Sequence, residues 1–288
     1  MSRTPEVDPS AAGLAEPDIR RLLEEPGRLN LVGQPLVDLR RGDIVGYELL
    51  SRFKLDQPTS PDRVFAAAAR QGLGAKLEAR VIERGLVLAE TLPDNCFLSI
   101  NIDPTLLTTE RVLAALDTRP SLAGMVFELT EHTAIDDLPG VVSAVAWLRE
   151  RGGLVAMDDA GAGYSGLKQI LELRPQLLKL DRALISDVDD DPAKRALVQM
   201  IGELGARLDA WLLAEGIETE AELRVLRQLG VPLGQGYFLA RPGPPWAPLR
   251  SEALALLTGT PAAVRGPSIA HRLLESCAVC RDDEPWPS

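Results

Sequence analysis

The chain of 288 residues is 45% hydrophobic, only 4% aromatic, and carries a formal net charge of -11. That length buries a large core and fits one large α/β domain or two small ones. The acidic balance argues against a partner such as long nucleic acid, which calls for stripes of Lys and Arg, but permits a small phosphorylated ligand where cations bridge the repulsion.

Residues 1–17, MSRTPEVDPSAAGLAEP, have neither a basic start nor an apolar stretch and read as a flexible tail. DIRRLLEEPG then predicts a short helix that opens a domain over residues 18–258. LNLVGQPLVDL and DIVGYELLSRF predict two strands separated only by RRGD, a turn that suits an antiparallel hairpin and cannot hold a crossover helix. Six further apolar runs follow with helical segments between most of them: CFLSINID, MVFELTE, LVAMDD, QLLKLD, WLLAEGIE and PLGQGYFLA. Ser60 with Pro61 and Asp103 with Pro104 mark helix starts, and Thr219 with Glu222 has capping-box spacing. The rhythm predicts an α/β fold, a (β/α)8 TIM-like barrel with one antiparallel strand, rather than a doubly wound sheet.

Residues 259–288 turn to a small-residue linker pattern and read as a C-terminal tail, in which Cys277 and Cys280 have no second Cys or His pair at zinc spacing. With Cys96 they make three cysteines, too few for a disulfide framework in a chain this size. No stretch reaches the ~18 apolar residues of a membrane span. The expectation is a soluble cytoplasmic protein with no membrane partner.

AMDDAGAGYSGL, residues 156–167, poses a choice. Gly161, Gly163 and Gly166 spell a dinucleotide-type glycine pattern, with Asp181 at the spacing of a ribose-binding acid. Yet Asp158 and Asp159 stand where a pyrophosphate would lie. The other strand ends favour the acids. Glu48, Asn101, Glu128, Lys179 and Glu215 fall at or near the ends of predicted strands, and Gln235 lies in the eighth. Any one would ordinarily be a turn or capping residue, but together they mark the C-terminal mouth of a barrel, where catalytic groups sit. Alternation along strands puts Glu48 and Arg52 on one face with Leu49 on the other, and places Lys179 with Asp181, which would either orient the lysine or join the site. The two histidines, His132 and His271, read as structural or surface residues.

Glu48, Glu128, Asp158, Asp159 and Glu215, compensated only by Lys179 and Arg52, would repel one another in a low-dielectric pocket. Divalent cations solve that problem. An oxygen-only set with Asn101 favours Mg2+ or Mn2+ over zinc. Adjacent Asp158 and Asp159 suit a pair of ions, which polarise a water for attack on a phosphodiester. Lys179 would hold or deprotonate that water, and the planar fork of Arg52 suits a phosphate oxygen.

The ordered blocks QPLVDL, GYELLSR, SINIDP, FELTE, MDDAGAGYSGL, KLD, AEGIE and GQGYFLARP resemble the EAL family of cyclic di-GMP phosphodiesterases over roughly residues 18–248. The resemblance implies a barrel with one antiparallel strand that hydrolyses cyclic di-GMP to linear 5'-pGpG with two Mg2+ or Mn2+ ions. It implies Glu48, Asn101, Glu128 and Asp158 as ligands of one metal, Asp158 and Asp159 as ligands of the other, and Glu215 as a ligand or holder of a metal water. It further implies Lys179 as the contact to the nucleophilic water, Gln235 as a residue fixing the site, and Gln34, Arg52 and Glu218 as substrate contacts. Glu131 would brace the loop after the paired aspartates, a loop linked to homodimerisation in the family. Two departures stand out. The signature Glu-Ala-Leu is Glu48-Leu49-Leu50 here, and Ala160 replaces a common Phe beside the metal ligands.

Two other functions compete with hydrolysis: a non-catalytic cyclic di-GMP receptor, and a barrel lyase of the enolase type using Lys179 as base. The complete set of acids favours the phosphodiesterase. No sensor segment is evident, so an unidentified regulatory protein is one source of input.

Overall fold

The computed structural model describes residues 16–130, 137–158, 164–259, 269 and 272–273. Helix α1 (Ile19–Glu24) is capped by Asp18, which accepts from the Arg21 amide at 3.0 Å. A 3-10 turn at Pro26–Arg28 leads into β1 (Leu29–Asp38), which pairs antiparallel with β2 (Asp43–Phe53). A bulge between Leu36 and Val37 bends β1, and the register sets Gln34 opposite Glu48 and Asn30 opposite Arg52.

From β2 onward the strands run parallel. Helices α2 (Pro61–Arg70) and α3 (Gly74–Ala89) connect to β3 (Phe97–Ile102). Helices α4 (Pro104–Leu107) and α5 (Glu110–Asp117) lead to β4 (Met125–Leu129), and α6 (Leu138–Glu150) leads to β5 (Leu154–Met157). Helix α7 (Tyr164–Leu173) precedes β6 (Leu177–Leu180), followed by α8 (Arg182–Ile185) and α9 (Pro192–Arg207). Then come β7 (Trp211–Ala214), α10 (Glu220–Gln228), β8 (Leu233–Gly234) and α11 (Ser251–Thr258). The eight strands close in sequence order, and β1 is antiparallel to both neighbours, β2 and β8. The expected barrel with one reversed strand is therefore what the chain forms.

The helix starts read from sequence are present, each in its own way. Asp103 accepts from the Thr105 amide at 2.8 Å, and Thr219 and Glu222 complete a capping box. Ser60 occupies the cap position of α2 without a side-chain hydrogen bond; Pro61 at the first turn, with its fixed φ, is the stronger signal there. Asp181, read as either a site residue or an orienter of Lys179, caps α8 by accepting from the amides of Ala183 at 2.9 Å and Leu184 at 3.3 Å. The eighth strand is shorter than PLGQGYFLA suggested. It ends at Gly234, and Gly236 then lies so close to the Ile217 backbone that a Cβ would be 2.2 Å from Ile217 N.

Alternation along the strands makes two apolar layers. Outward residues such as Tyr47, Leu49, Ile100, Phe127 and Leu178 pack beneath the helices, each burial contributing roughly 1.5–3 kcal/mol. Inward residues at the strand beginnings, including Phe97, Val126, Ala156, Leu177, Leu213 and Leu233, form a second cluster inside the barrel. Ile269 and Leu273, in the stretch read as a tail, are buried in this second cluster. Among the described residues, no helix is long and apolar enough to cross a membrane.

Candidate active site

The polar site is the next storey of the same inward face. Two residues beyond Val126, Ala156, Leu177, Leu213 and Leu233 come Glu128, Asp158, Lys179, Glu215 and Gln235. The period of two that buries the first set therefore aims the second set into the barrel mouth. Asp158, Glu215 and Gln235 stand just past their strands and are held there by backbone hydrogen bonds: Asp158 N to Leu129 O at 3.1 Å, Glu215 N to Leu180 O at 2.9 Å, and Gln235 N to Ala214 O at 2.8 Å.

Lys179 is the hub. Its ammonium, 2% exposed as a residue, is ion-paired with Glu128, 2.6 Å from Glu215 Oε1, 3.6 Å from Asp158 Oδ1 and 4.0 Å from Glu48 Oε1. The Glu215 contact has ion-pair distance but not the direction of a hydrogen bond. Glu128 receives a second hydrogen bond from Ser99 Oγ. Glu48 accepts from Asn101 Nδ2 and from Gln235 Nε2, each at 2.8 Å. Gln34, opposite Glu48 on β1, gives its Nε2 to Ala240 O at 3.1 Å.

Four carboxylates thus share one ammonium, and the electrostatics follow from that imbalance. Burial, reinforced by Glu48 and Asp158 and opposed by Lys179, pushes Glu128 up to about 7. Burial likewise holds Glu215 well above the usual carboxylate range, against the pull of Lys179. For Lys179, burial favours losing the proton, but Glu128, Glu215, Glu48 and Asp158 outweigh it and keep the pKa well above 10.5. In this arrangement the lysine is a charged donor.

The structure brings together Glu48, Asn101, Glu128, Asp158, Lys179, Glu215 and Gln235. Arg52 shares the Glu48 face of β2 but lies exposed at the rim, with Nη1 on Ser51 O at 2.9 Å. Glu218 pairs with Arg182 at 2.9 Å. Asp159, Ala160, Glu131 and the glycine pattern at Gly161 and Gly163 lie outside the described residues, as do His132, His271, Cys277 and Cys280. Leu49 points away from the site and packs against α3 near Gly85, as alternation requires. Sequence reading missed Ser99, although its position two before Asn101 on the same face was a usable signal.

Among the described residues, no three acids, histidines or cysteines form a closed metal-holding group. Lys179 occupies the middle of the acids instead. The chemistry of the donors nonetheless fits hard divalent cations: every inward donor is oxygen or amide, and carboxylate charge exceeds ammonium charge. In addition, the buried Gln235 Oε1 has no hydrogen-bond partner among the described residues.

A closed (β/α)8 barrel with one reversed strand and a buried acid–lysine cluster at its C-terminal mouth defines the class of protein. More narrowly, the chain belongs to the EAL domain family, whose family model matches residues 17–242. PdeG of Escherichia coli, a probable cyclic di-GMP phosphodiesterase, is 29% identical over 222 residues, covering 73% of this chain and 43% of PdeG. The PaMucR phosphodiesterase in complex with c-di-GMP has a similar fold, with a TM-score of 0.67 at 29% identity, covering 79% of this chain and 96% of that one. BlrP1 of Klebsiella pneumoniae, in a calcium/cyclic di-GMP complex, has a TM-score of 0.64 at 29% identity, covering 76% of this chain and 57% of that one. The chain spans only 28–43% of the length of curated relatives it matches.

Proposed function

We propose that this chain hydrolyses cyclic di-GMP to linear 5'-pGpG, using two divalent cations, Mg2+ or Mn2+. The observation that carries the reading is the ring of Glu48, Glu128, Asp158 and Glu215 around Lys179 in a barrel of the EAL family. Glu48, Asn101, Glu128 and Asp158 would hold one ion, with Asp158, Asp159 and Glu215 serving the second. The ions, when bound, supply positive charge to the phosphate oxygens and acidify the attacking water.

The protein groups have separable tasks. Lys179, set among the acids, would contact the water and steady the developing negative charge. Gln235 and Asn101 hold Glu48 in one rotamer, each through one amide hydrogen bond. Arg52 at the rim, together with Gln34 and Glu218, would contact the ligand. In the net reaction water adds to phosphorus, the bond to the ribose 3'-oxygen breaks, and that oxygen leaves with a proton; each product end is balanced without a redox partner.

Leu167 and Leu171, one turn apart on α7, are exposed apolar residues and support a homodimer through that helix. Free Cys96 suits a reducing, cytoplasmic location. The test is chromatography of cyclic di-GMP after incubation with the chain and Mn2+. Accumulating pGpG supports the reading; tight binding without product replaces it with a receptor.

A further inference from the structure

We propose that Glu222 is a positioning residue that latches the segment carrying Glu215 and Glu218 onto the turn after α8, and so sets where Glu215 stands relative to Lys179. The inference rests on the function proposed above. Glu222 is 4% exposed, although it lies in the first turn of a helix whose other acid, Glu220, is solvated. Its Oε2 accepts from the amides of Glu218 at 2.8 Å and Thr219 at 2.9 Å, and its Oε1 accepts from the amide of Asp187 at 3.3 Å.

A capping box accounts for only one of those three bonds, the one from Thr219. Of the other two, the Glu218 bond fixes the loop just before the helix, and the Asp187 bond, 35 residues away in the chain, joins that loop to a different segment. Glu218 is three residues past Glu215, and Asp187 lies in the segment that follows Lys179 and α8. Asp187 has φ +59°, a left-handed conformation that is unfavourable for a non-glycine residue and persists where surroundings fix it. The same two segments meet twice more. Arg182 pairs with Glu218 at 2.9 Å, and Gly216, at φ +68°, lets the Arg182 stem pass where a Cβ would lie 2.6 Å from Arg182 Cγ. Of these ties the Arg182 pair is solvated and weak, whereas the Glu222 carboxylate is buried.

The consequence falls on the site through the Glu215 amide, which bonds Leu180 O one residue beyond Lys179. A loop free to shift would carry Glu215 away from its 2.6 Å contact with Lys179 Nζ. Small displacements of that kind cost turnover more than substrate affinity.

Two variants separate the latch from the cap. Glu222→Gln keeps one oxygen for the cap and sets an amide NH2 against the remaining N–H donor, whereas Thr219→Ala weakens the cap and leaves the carboxylate bridge. We expect Glu222→Gln to lower kcat about tenfold with KM nearly unchanged, and Thr219→Ala to keep wild-type kcat despite a lower Tm. Amide hydrogen exchange should quicken at Asp187 and Glu215 in Glu222→Gln and stay unchanged at both in Thr219→Ala. Wild-type kcat and exchange in Glu222→Gln would overturn the latch, as would kcat losses that simply follow Tm in both variants. Exchange is read without substrate, so a wild-type protein that makes no pGpG defeats the functional reading while the latch is still judged.

Discussion

Gln235 and Glu48 are 187 residues apart in the chain, yet Gln235 Nε2 donates to Glu48 Oε2 at 2.8 Å. The bond spans β1, the reversed strand, whose Gln34 lies opposite Glu48. Closure of the barrel is therefore felt directly by a candidate metal ligand. Glu48→Ala should cut hydrolysis by more than about 10²-fold, and Gln235→Ala by about 10- to 100-fold, the usual cost of losing a residue that orients a ligand. Circular dichroism should show folded barrels in both. Near-wild-type product formation in Glu48→Ala would remove it from the site.

Lys179 is, among the described residues, the cation that Glu48, Glu128, Asp158 and Glu215 share. Lys179→Met should therefore destabilise the fold by roughly 3–5 kcal/mol in metal-free buffer, with the largest drop in Tm above pH 7, where Glu128 is ionised. Added Mn2+ should recover part of the loss. Thermal melting with and without the ion checks this; a Tm unaffected by the substitution at pH 8 would contradict the hub role.

Glu78 offers a pH test outside the acid ring. It is buried in α3, accepts from the Asp103 amide at 3.0 Å, and burial pushes its pKa from the usual 4.5 to about 7. The folded state thus binds the proton more tightly than the unfolded chain. Stability from this group is full below about pH 4.5, falls as pH rises toward 7, and levels off above it, a loss of roughly 3 kcal/mol. Glu78→Gln keeps an acceptor for Asp103 and should flatten that part of the stability curve. Urea titrations from pH 4.5 to 8 that show the same slope in both proteins would refute the assignment.

Leu273 is 1% exposed against the apolar floor of the barrel, while its neighbour Arg272 is exposed. Leu273→Ala should cost about 2–5 kcal/mol, and Arg272→Ala less than about 0.5 kcal/mol. Equal Tm values for the two variants would show that the floor does not depend on this segment.

The barrel was legible in the sequence because its strands are buried on both sides. MVFEL has all five residues buried, and such runs announce themselves whatever their neighbours. The position of Glu48 and Leu49 on opposite faces followed from alternation alone. What escaped notice depended on contacts distant in sequence. Gly236, just past the end of β8, lies so close to the Ile217 backbone that a Cβ would not fit, and Asp181 caps α8 because a helix starts at the next residue. The burial of Ile269 and Leu273 was equally hidden, since a short apolar pair after a linker looks the same whether it meets solvent or a barrel floor. The acids were recognisable one by one, but their convergence on Lys179 required the closed barrel.

In the proposed function, this acid–lysine cluster supports metal-dependent cleavage of a cyclic dinucleotide. The most direct test is to follow cyclic di-GMP and pGpG by chromatography with Mn2+ present, then after chelation, then after Mn2+ is restored. The expected result is pGpG in the first and third conditions and none in the second. Unconsumed cyclic di-GMP in all three, from a protein shown to be folded, would contradict it.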